Sequence, residues 1–315
     1  MERIDEIVAK MDALGLWELL LPYNVALKPK GVAFPYFCSM LKGDGKPVRY
    51  RVLFLEGWQT MHDYVLTRVD ANYGFYSTPS ELPHFELVLP ADRPPQCFRH
   101  DPGYVPGPVP PARQELVAKL LWEVYGLLLR LESERSLPMS FAGERSIFAR
   151  VERAPGVWED TPLAIPDAPP HVEKISLEKA DVKKAQDLPL VTSDVWELDF
   201  SLNLSVITRE PRARTVYTLI AADVATGERV VDCNASVHPE LGLRGLWESM
   251  PQQVLRQFIR RGKVPGEVRV RSGRVFRFLR ALCQELPLKL SMQVSLPALP
   301  GRVAGQPPRE GEQGT

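Results

Sequence analysis

Cysteine is scarce in this sequence: Cys38, Cys97, Cys233 and Cys283 are the only four among 315 residues, and they stand far apart. Without a C-x-x-C pair neither a zinc knuckle nor a dithiol redox centre is encoded, and the four read as buried thiols. Net charge is lacking as well. The 39 Lys and Arg residues balance 39 Asp and Glu residues, so no global field draws the chain to nucleic acid or anionic lipid. Apolar runs such as Leu19-Leu20-Leu21 and Leu127-Leu128-Leu129 fall far short of the roughly 20 residues that cross a bilayer. The start, Met1-Glu2-Arg3-Ile4-Asp5-Glu6, lacks the apolar core of a secretory signal. The expected setting is a reducing cytoplasm, with no membrane partner.

Signature motifs are absent too. No G-x-x-x-x-G-K-[ST] loop occurs, and no G-x-G-x-x-G opens a helix after a strand, which removes the two standard phosphate cradles. No G-x-S-x-G nucleophile elbow is present. The five histidines, His62, His84, His100, His171 and His238, never form H-x-x-x-H or stand near a cysteine at ligand spacing, so spacing predicts no metal site. Cys97 and His100 are near neighbours in sequence, but residues this close seldom aim their side chains at each other as a thiolate–imidazole pair needs. The sequence therefore predicts no catalytic residue, no cofactor and no metal.

What is present is a globular composition, 44% hydrophobic and 25% charged, with length enough for two domains. The 30 prolines are clustered and mark boundaries. Pro90 to Pro111 reads as an ordered loop anchored by Phe98, Tyr104 and Val105. Ala154 to Pro170 mixes acids with turn residues and reads as a linker. Gly301 to Thr315 has almost no apolar content and reads as a disordered tail. The division expected is 1–153, an N-terminal α+β domain; 154–170, a Pro-rich linker; 171–300, a C-terminal domain; and 301–315, the tail.

In the front half Ile4, Ile7, Val8, Met11 and Leu14 recur at helical spacing, and Val48, Tyr50, Val52 and Phe54 alternate as in a strand. Gly43-Asp44-Gly45 offers positive-φ residues for a hairpin turn between Phe34–Leu41 and Val48–Leu55. Leu116 to Leu131 carries the longest helical stripe. In the back half Trp196, Leu198, Phe200, Leu202, Leu204 and Val206 alternate with polar residues, a strand with one apolar and one polar face. Strands follow from about Thr215 to Asp223 and over Arg229–Ala235. A helix is expected with Pro251 in its first turn and Gly262 at its end, then a strand, Val268–Arg271. Next comes a helix capped by Ser272 and stopped by Pro287, with Val275, Phe276, Leu279, Leu282, Cys283 and Leu286 on its buried face. The strand Leu288–Leu296 closes the order β-β-β-α-β-α-β. The fold class predicted is α+β in two domains.

Two resemblances attach to these residues. The segments Cys97-Phe98-Arg99-His100-Asp101-Pro102-Gly103-Tyr104-Val105-Pro106, Ala222-Asp223-Val224-Ala225-Thr226-Gly227 and Leu296-Pro297-Ala298-Leu299 resemble an uncharacterised bacterial family. Its two parts are known only as domains of unknown function. The resemblance implies a bacterial, soluble protein and supplies no site residues. From about Asp194 to Leu296 the chain resembles the ribonuclease-H-like core of integrases and transposases. Val268-Arg269-Val270-Arg271-Ser272-Gly273-Arg274-Val275-Phe276 is similar to the strand, turn and helix on which those enzymes carry an Asp followed by Asn-Gly, and Arg271 occupies the Asp position. Carboxylates in that family hold two divalent metals, and a permanent guanidinium would repel them. Asp199 lies on the polar side of its strand, as a solvated charge would, and Asp223 precedes a turn, where Asp serves local hydrogen bonds.

Neutrality hides an asymmetry. Arg244 to Arg280 holds nine arginines and one lysine against Glu248 and Glu267, whereas Glu159 to Asp199 holds ten acids against four lysines. Arg269, Arg271, Arg274 and Arg277 are the candidate polyanion-binding residues, expected on one surface off the apolar stripe. One alternative is a solvated face paired with the acidic segment. The other is a docking face for nucleic acid or an acidic protein, contacting phosphates rather than bases, since no aromatic platform is interleaved. The function expected is a non-catalytic binding or scaffolding protein, with a divergent metal-dependent nuclease as the alternative.

Overall fold

The structure, a computed structural model, describes residues 3–20, 24–45, 47–69, 81–137, 145–167, 175–207, 212–237 and 240–299. The expected tail over 301–315 lies outside them. The class is α+β, with six helices and two mixed sheets among the described residues. Two compact units form: Met1–Pro102 with Pro106–Pro170, and Gly103–Val105 with His171–Thr315.

The front unit contains α1 (Ile4–Ala13), β1 (Val25–Lys28), β2 (Tyr36–Gly45), β3 (Val48–Glu56), α2 (Gly57–Val69), β4 (His84–Pro90), β5 (Gln96–His100), β6 (Gly107–Pro108), α3 (Pro111–Ser133), β7 (Ser146–Ala154) and β8 (Val157–Ala164). The strands make one sheet in the order β6-β5-β4-β3-β2-β1-β7-β8, antiparallel except where β1 meets β7. Alternation divides its side chains. Tyr36, Cys38, Met40, Val52, Phe54, Phe85 and Leu87 face Ile7, Val8 and Met11 of α1 and Val117, Leu121, Val124 and Leu128 of α3. Phe37, Leu53 and Leu55 face the other way, toward Trp58, Met61 and Tyr64 of α2. Proline at the first position of α3 loses no intrahelical bond and presets φ, which fixes where that helix begins.

Three expectations for this half are corrected. The stretch 90–111 is not loop throughout, since β5 and β6 lie within it and its prolines sit near strand ends, at the sheet edge and at the start of α3, where a missing N–H costs little. The stretch 154–170 is not simply a linker, because Val157–Ala164 pairs along β7 and the Pro155-Gly156 turn joins the two strands. Gly43 does not supply a positive φ. It lies inside β2 at a register shift, where a Cβ would collide with the Val48 carbonyl, and Gly45 already pairs with Val48.

The back unit runs α4 (Lys179–Gln186), β9 (Leu190–Ile207), β10 (Arg214–Asp223), β11 (Arg229–Ser236), α5 (Gly242–Arg261), β12 (Val264–Val270), α6 (Gly273–Glu285) and β13 (Lys289–Met292). Its sheet order is β11-β10-β9-β12-β13, with β9, β10 and β11 an antiparallel meander and β12 and β13 parallel to β9. The apolar face of β9 packs on the helices: Trp196 meets Phe258 edge-on at 5.4 Å between centroids, and Phe200 meets Trp247 at 4.8 Å. Edge-to-face pairs of this kind add to the burial of the rings themselves. Here Pro251 is not in a first turn. α5 begins nine residues earlier, and apolar contacts on both sides of the proline, from Leu243 to Met250 and from Val254 to Phe258, hold the helix together across the lost backbone bond. Gly262 ends it at φ 68°, as expected. The last strand is shorter than expected, Lys289–Met292.

Candidate functional site

The second face of the back sheet is polar and partly covered. Residues 197, 199, 201 and 203 of β9 alternate onto it, and β12 runs parallel beside them with Arg269 in register with Glu197. Two residues further on, just past the end of β12, Arg271 meets Asp199, Nη2 to Oδ2 at 2.7 Å. Asp199 is 5% exposed and Glu197 only 1%, so neither is the solvated charge that strand alternation suggested. Glu197 accepts a 2.6 Å hydrogen bond from the Ala298 N–H, because the segment Leu296–Leu299 packs over Ala222 and Ile220 on this face. The network extends to both sides. Asn203 donates to Thr218 Oγ1, which donates to Asn234, each at 2.9 Å. Glu267 is paired with Arg269 at 3.4 Å and Lys289 at 3.6 Å and accepts from Ser291 at 2.6 Å, and that hydrogen bond, outweighing burial with help from Arg269, keeps its carboxyl below the usual carboxylate range.

Asp223 does not join Asp199. Register places Ile220 opposite Asp199, so Asp223 lies three residues on, about 10 Å along the strand and on the other face. Its Oδ1 instead accepts from the N–H groups of Ala225 and Thr226, both at 3.0 Å, closing the turn into β11.

The four arginines are not one surface. Arg274 is fully buried, its guanidinium carbon 3.3 Å from the centre of the Trp247 ring, and it is removed from the candidate docking residues. The reason is helix phase. The buried side of α6 is Arg274, Val275, Phe278, Leu279 and Leu282, rotated from the expected stripe so that Phe278 enters the core and Phe276 is only half-buried. Arg269 and Arg271 are about one-third exposed and already paired, and Arg277 is half-buried. Acids ahead of β9 and within it supply much of the compensation for the arginine run: Glu178 and Asp181 with Arg256 at 2.5 and 3.3 Å, and Asp194 with Lys263 at 2.5 Å. Internal pairing accounts for much of the charge asymmetry.

A second constellation, in the front unit, was missed by spacing rules. Strand alternation puts His84 and Glu86 on one face of β4, and the antiparallel register sets His100 of β5 opposite His84. The two imidazoles stack at 4.1 Å with 16° between planes, His100 Nε2 lies 2.7 Å from Glu86 Oε2, and His84 Nδ1 lies 2.8 Å from the Leu82 carbonyl. Burial, and then the neighbouring His100, push the His84 pKa down to about 4. Burial would raise Glu86, but the His100 hydrogen bond and charge outweigh it and leave the carboxyl below its ordinary range. The one sequence signal was His-x-Glu within an alternating strand. Its partner stands fourteen residues away and is found only through strand pairing.

A family model described as Domain of unknown function (DUF6930) matches residues 181–301, which takes in all of the back sheet. No curated protein and no solved structure gives a match. Among the described residues no helix is long and apolar enough to cross a membrane.

Proposed function

We propose that the back unit is a ribonuclease-H-like module that binds or scaffolds and performs no metal-dependent chemistry. Its strand arrangement, an antiparallel meander whose first strand is central and is flanked by two further parallel strands, supports the fold reading. The observation that carries the functional reading is the 2.7 Å pair between Asp199 and Arg271. By the resemblance, carboxylates on the first strand and just after the fourth would converge on divalent ions. In this chain a guanidinium fills the second position and engages the first, holding a positive charge where the ion would sit. Of the four candidate docking arginines Arg274 is buried, while Arg269, Arg271 and Arg277 stay partly exposed, and the intramolecular pairing of Arg269 and Arg271 makes polyanion docking the weaker support for binding.

The test uses the full chain with labelled single-stranded DNA, duplex DNA and RNA–DNA hybrid, each with Mg²⁺ or Mn²⁺. No cleavage is expected. Metal-dependent cleavage that Asp199→Asn abolishes would replace this reading with the nuclease.

A further inference from the structure

Buried histidines and carboxylates are costly unless each polar atom is matched, and the cluster on β4 and β5 is incompletely matched. His84, Glu86 and His100 are 1%, 8% and 6% exposed, and one donor atom from each lies within 4.8 Å of the others. The hydrogen bond between His84 Nδ1 and the Leu82 carbonyl fixes the proton there and leaves the lone pair on Nε2. This is the arrangement by which metal-ligating histidines are oriented, one ring nitrogen donating to a backbone carbonyl while the other faces the ion. His100 uses Nε2 on Glu86, and among the described residues its Nδ1 is buried without a hydrogen-bond partner. Glu86 is held from its other oxygen by Arg51 at 3.4 Å, so its orientation does not depend on His100 alone.

We propose that His84, Glu86 and His100 bind one divalent first-row transition ion, with Zn²⁺ the best fit. Two imidazoles and one carboxylate are the borderline donor set that such ions prefer, whereas Mg²⁺ and Ca²⁺ prefer oxygen alone. No thiolate joins: Cys97 is on β5 but alternates to the opposite side, packing among the residues that face α1 and α3. The ion takes the place of the proton shared between His100 and Glu86, and three protein ligands leave a fourth position for water. Two adjacent, antiparallel strands, β4 and β5, hold all three ligands, which makes the site rigid without a loop.

The experiment strips the full, tag-free chain with a chelator and titrates it with Co²⁺ as a spectroscopic stand-in. One equivalent is expected to produce visible d–d absorption that Zn²⁺ displaces. Glu86→Gln and His100→Gln are each expected to lose the absorption and to weaken Zn²⁺ binding at least about tenfold, while His62→Gln keeps both. Should the variants unfold, X-ray absorption at the zinc edge of the wild-type chain decides, with scattering from two imidazoles expected. A Co²⁺ titration without absorption, absorption retained in both site variants, or a zinc shell lacking two imidazoles would overturn the proposal.

Discussion

Asp199 and Arg271 form one ion pair with unequal partners. The carboxylate side chain is 7% exposed and the guanidinium 37%, so removing either leaves a different remainder. Without Arg271 a carboxylate stays buried and uncompensated, whereas without the Asp199 charge the guanidinium can turn to water. Arg271→Leu is therefore expected to cost about 2–4 kcal/mol of unfolding free energy and Asp199→Asn about 1 kcal/mol, with denaturant titration as the measurement. Equal small effects would show that the pair is solvated. Arg274 follows another rule. Because it is fully buried against Trp247, Arg274→Glu acts on the core, so charge reversal there reports stability and says nothing of docking. A test of polyanion binding belongs instead at exposed arginines such as Arg260 and Arg280.

The β7–β8 hairpin shows how an element read as a linker is held. Glu152, its side chain fully buried, accepts from Lys119 Nζ at 2.6 Å, from the Lys30 N–H at 2.8 Å and from the Gly156 N–H at 2.9 Å. Burial would raise its carboxyl, but these donors outweigh it and keep the group below its ordinary range. A carboxyl lowered in the folded state contributes stability that is complete above its unfolded pKa, about 4.3, and is lost as pH falls through the folded value. Glu152→Gln should thus lower stability at pH 7 and flatten the decline below about pH 4.3. An unchanged slope in acid would show that other groups dominate there. None of the three donors is near Glu152 in sequence except Gly156, which is why the stretch looked structureless: its order comes from pairing with β7 and from distant partners. Elsewhere local rules were enough. The alternation of β9, the Ser272 cap, whose Oγ accepts from the Val275 N–H at 3.4 Å, and the end of α5 at Gly262 were all legible. Helix phase was not, because an arginine on the buried side of α6 breaks the hydrophobic pattern that phase is read from. For the same reason the polar face of β9 looked solvated: only the covering segment at Leu296–Leu299 shows that it is closed. The histidine cluster depends on register between β4 and β5, which no spacing within one strand reveals.

At the scale of the molecule, sequence order and structural unit part company at one place. Gly103–Val105 stands in the front half of the chain but belongs to the back unit. The Val105 N–H donates to the Ala213 carbonyl and the Thr215 N–H to the Gly103 carbonyl, both at 3.0 Å, so the segment adds a short stretch of pairing where β10 begins. Gly103 has φ of 84°, and a Cβ there would be driven into the Val237 side chain. Both the backbone and the space exclude any other residue. Gly103→Ala is expected to cost the back unit about 1–3 kcal/mol, although the substitution lies far ahead of His171. Hydrogen exchange resolved by segment is the measurement. Faster exchange is expected in β10 and β11, with the amides of α3 unchanged. The reverse pattern, with α3 accelerated and β10 unaffected, would assign Gly103–Val105 to the front unit, and the chain would then divide once, in sequence order.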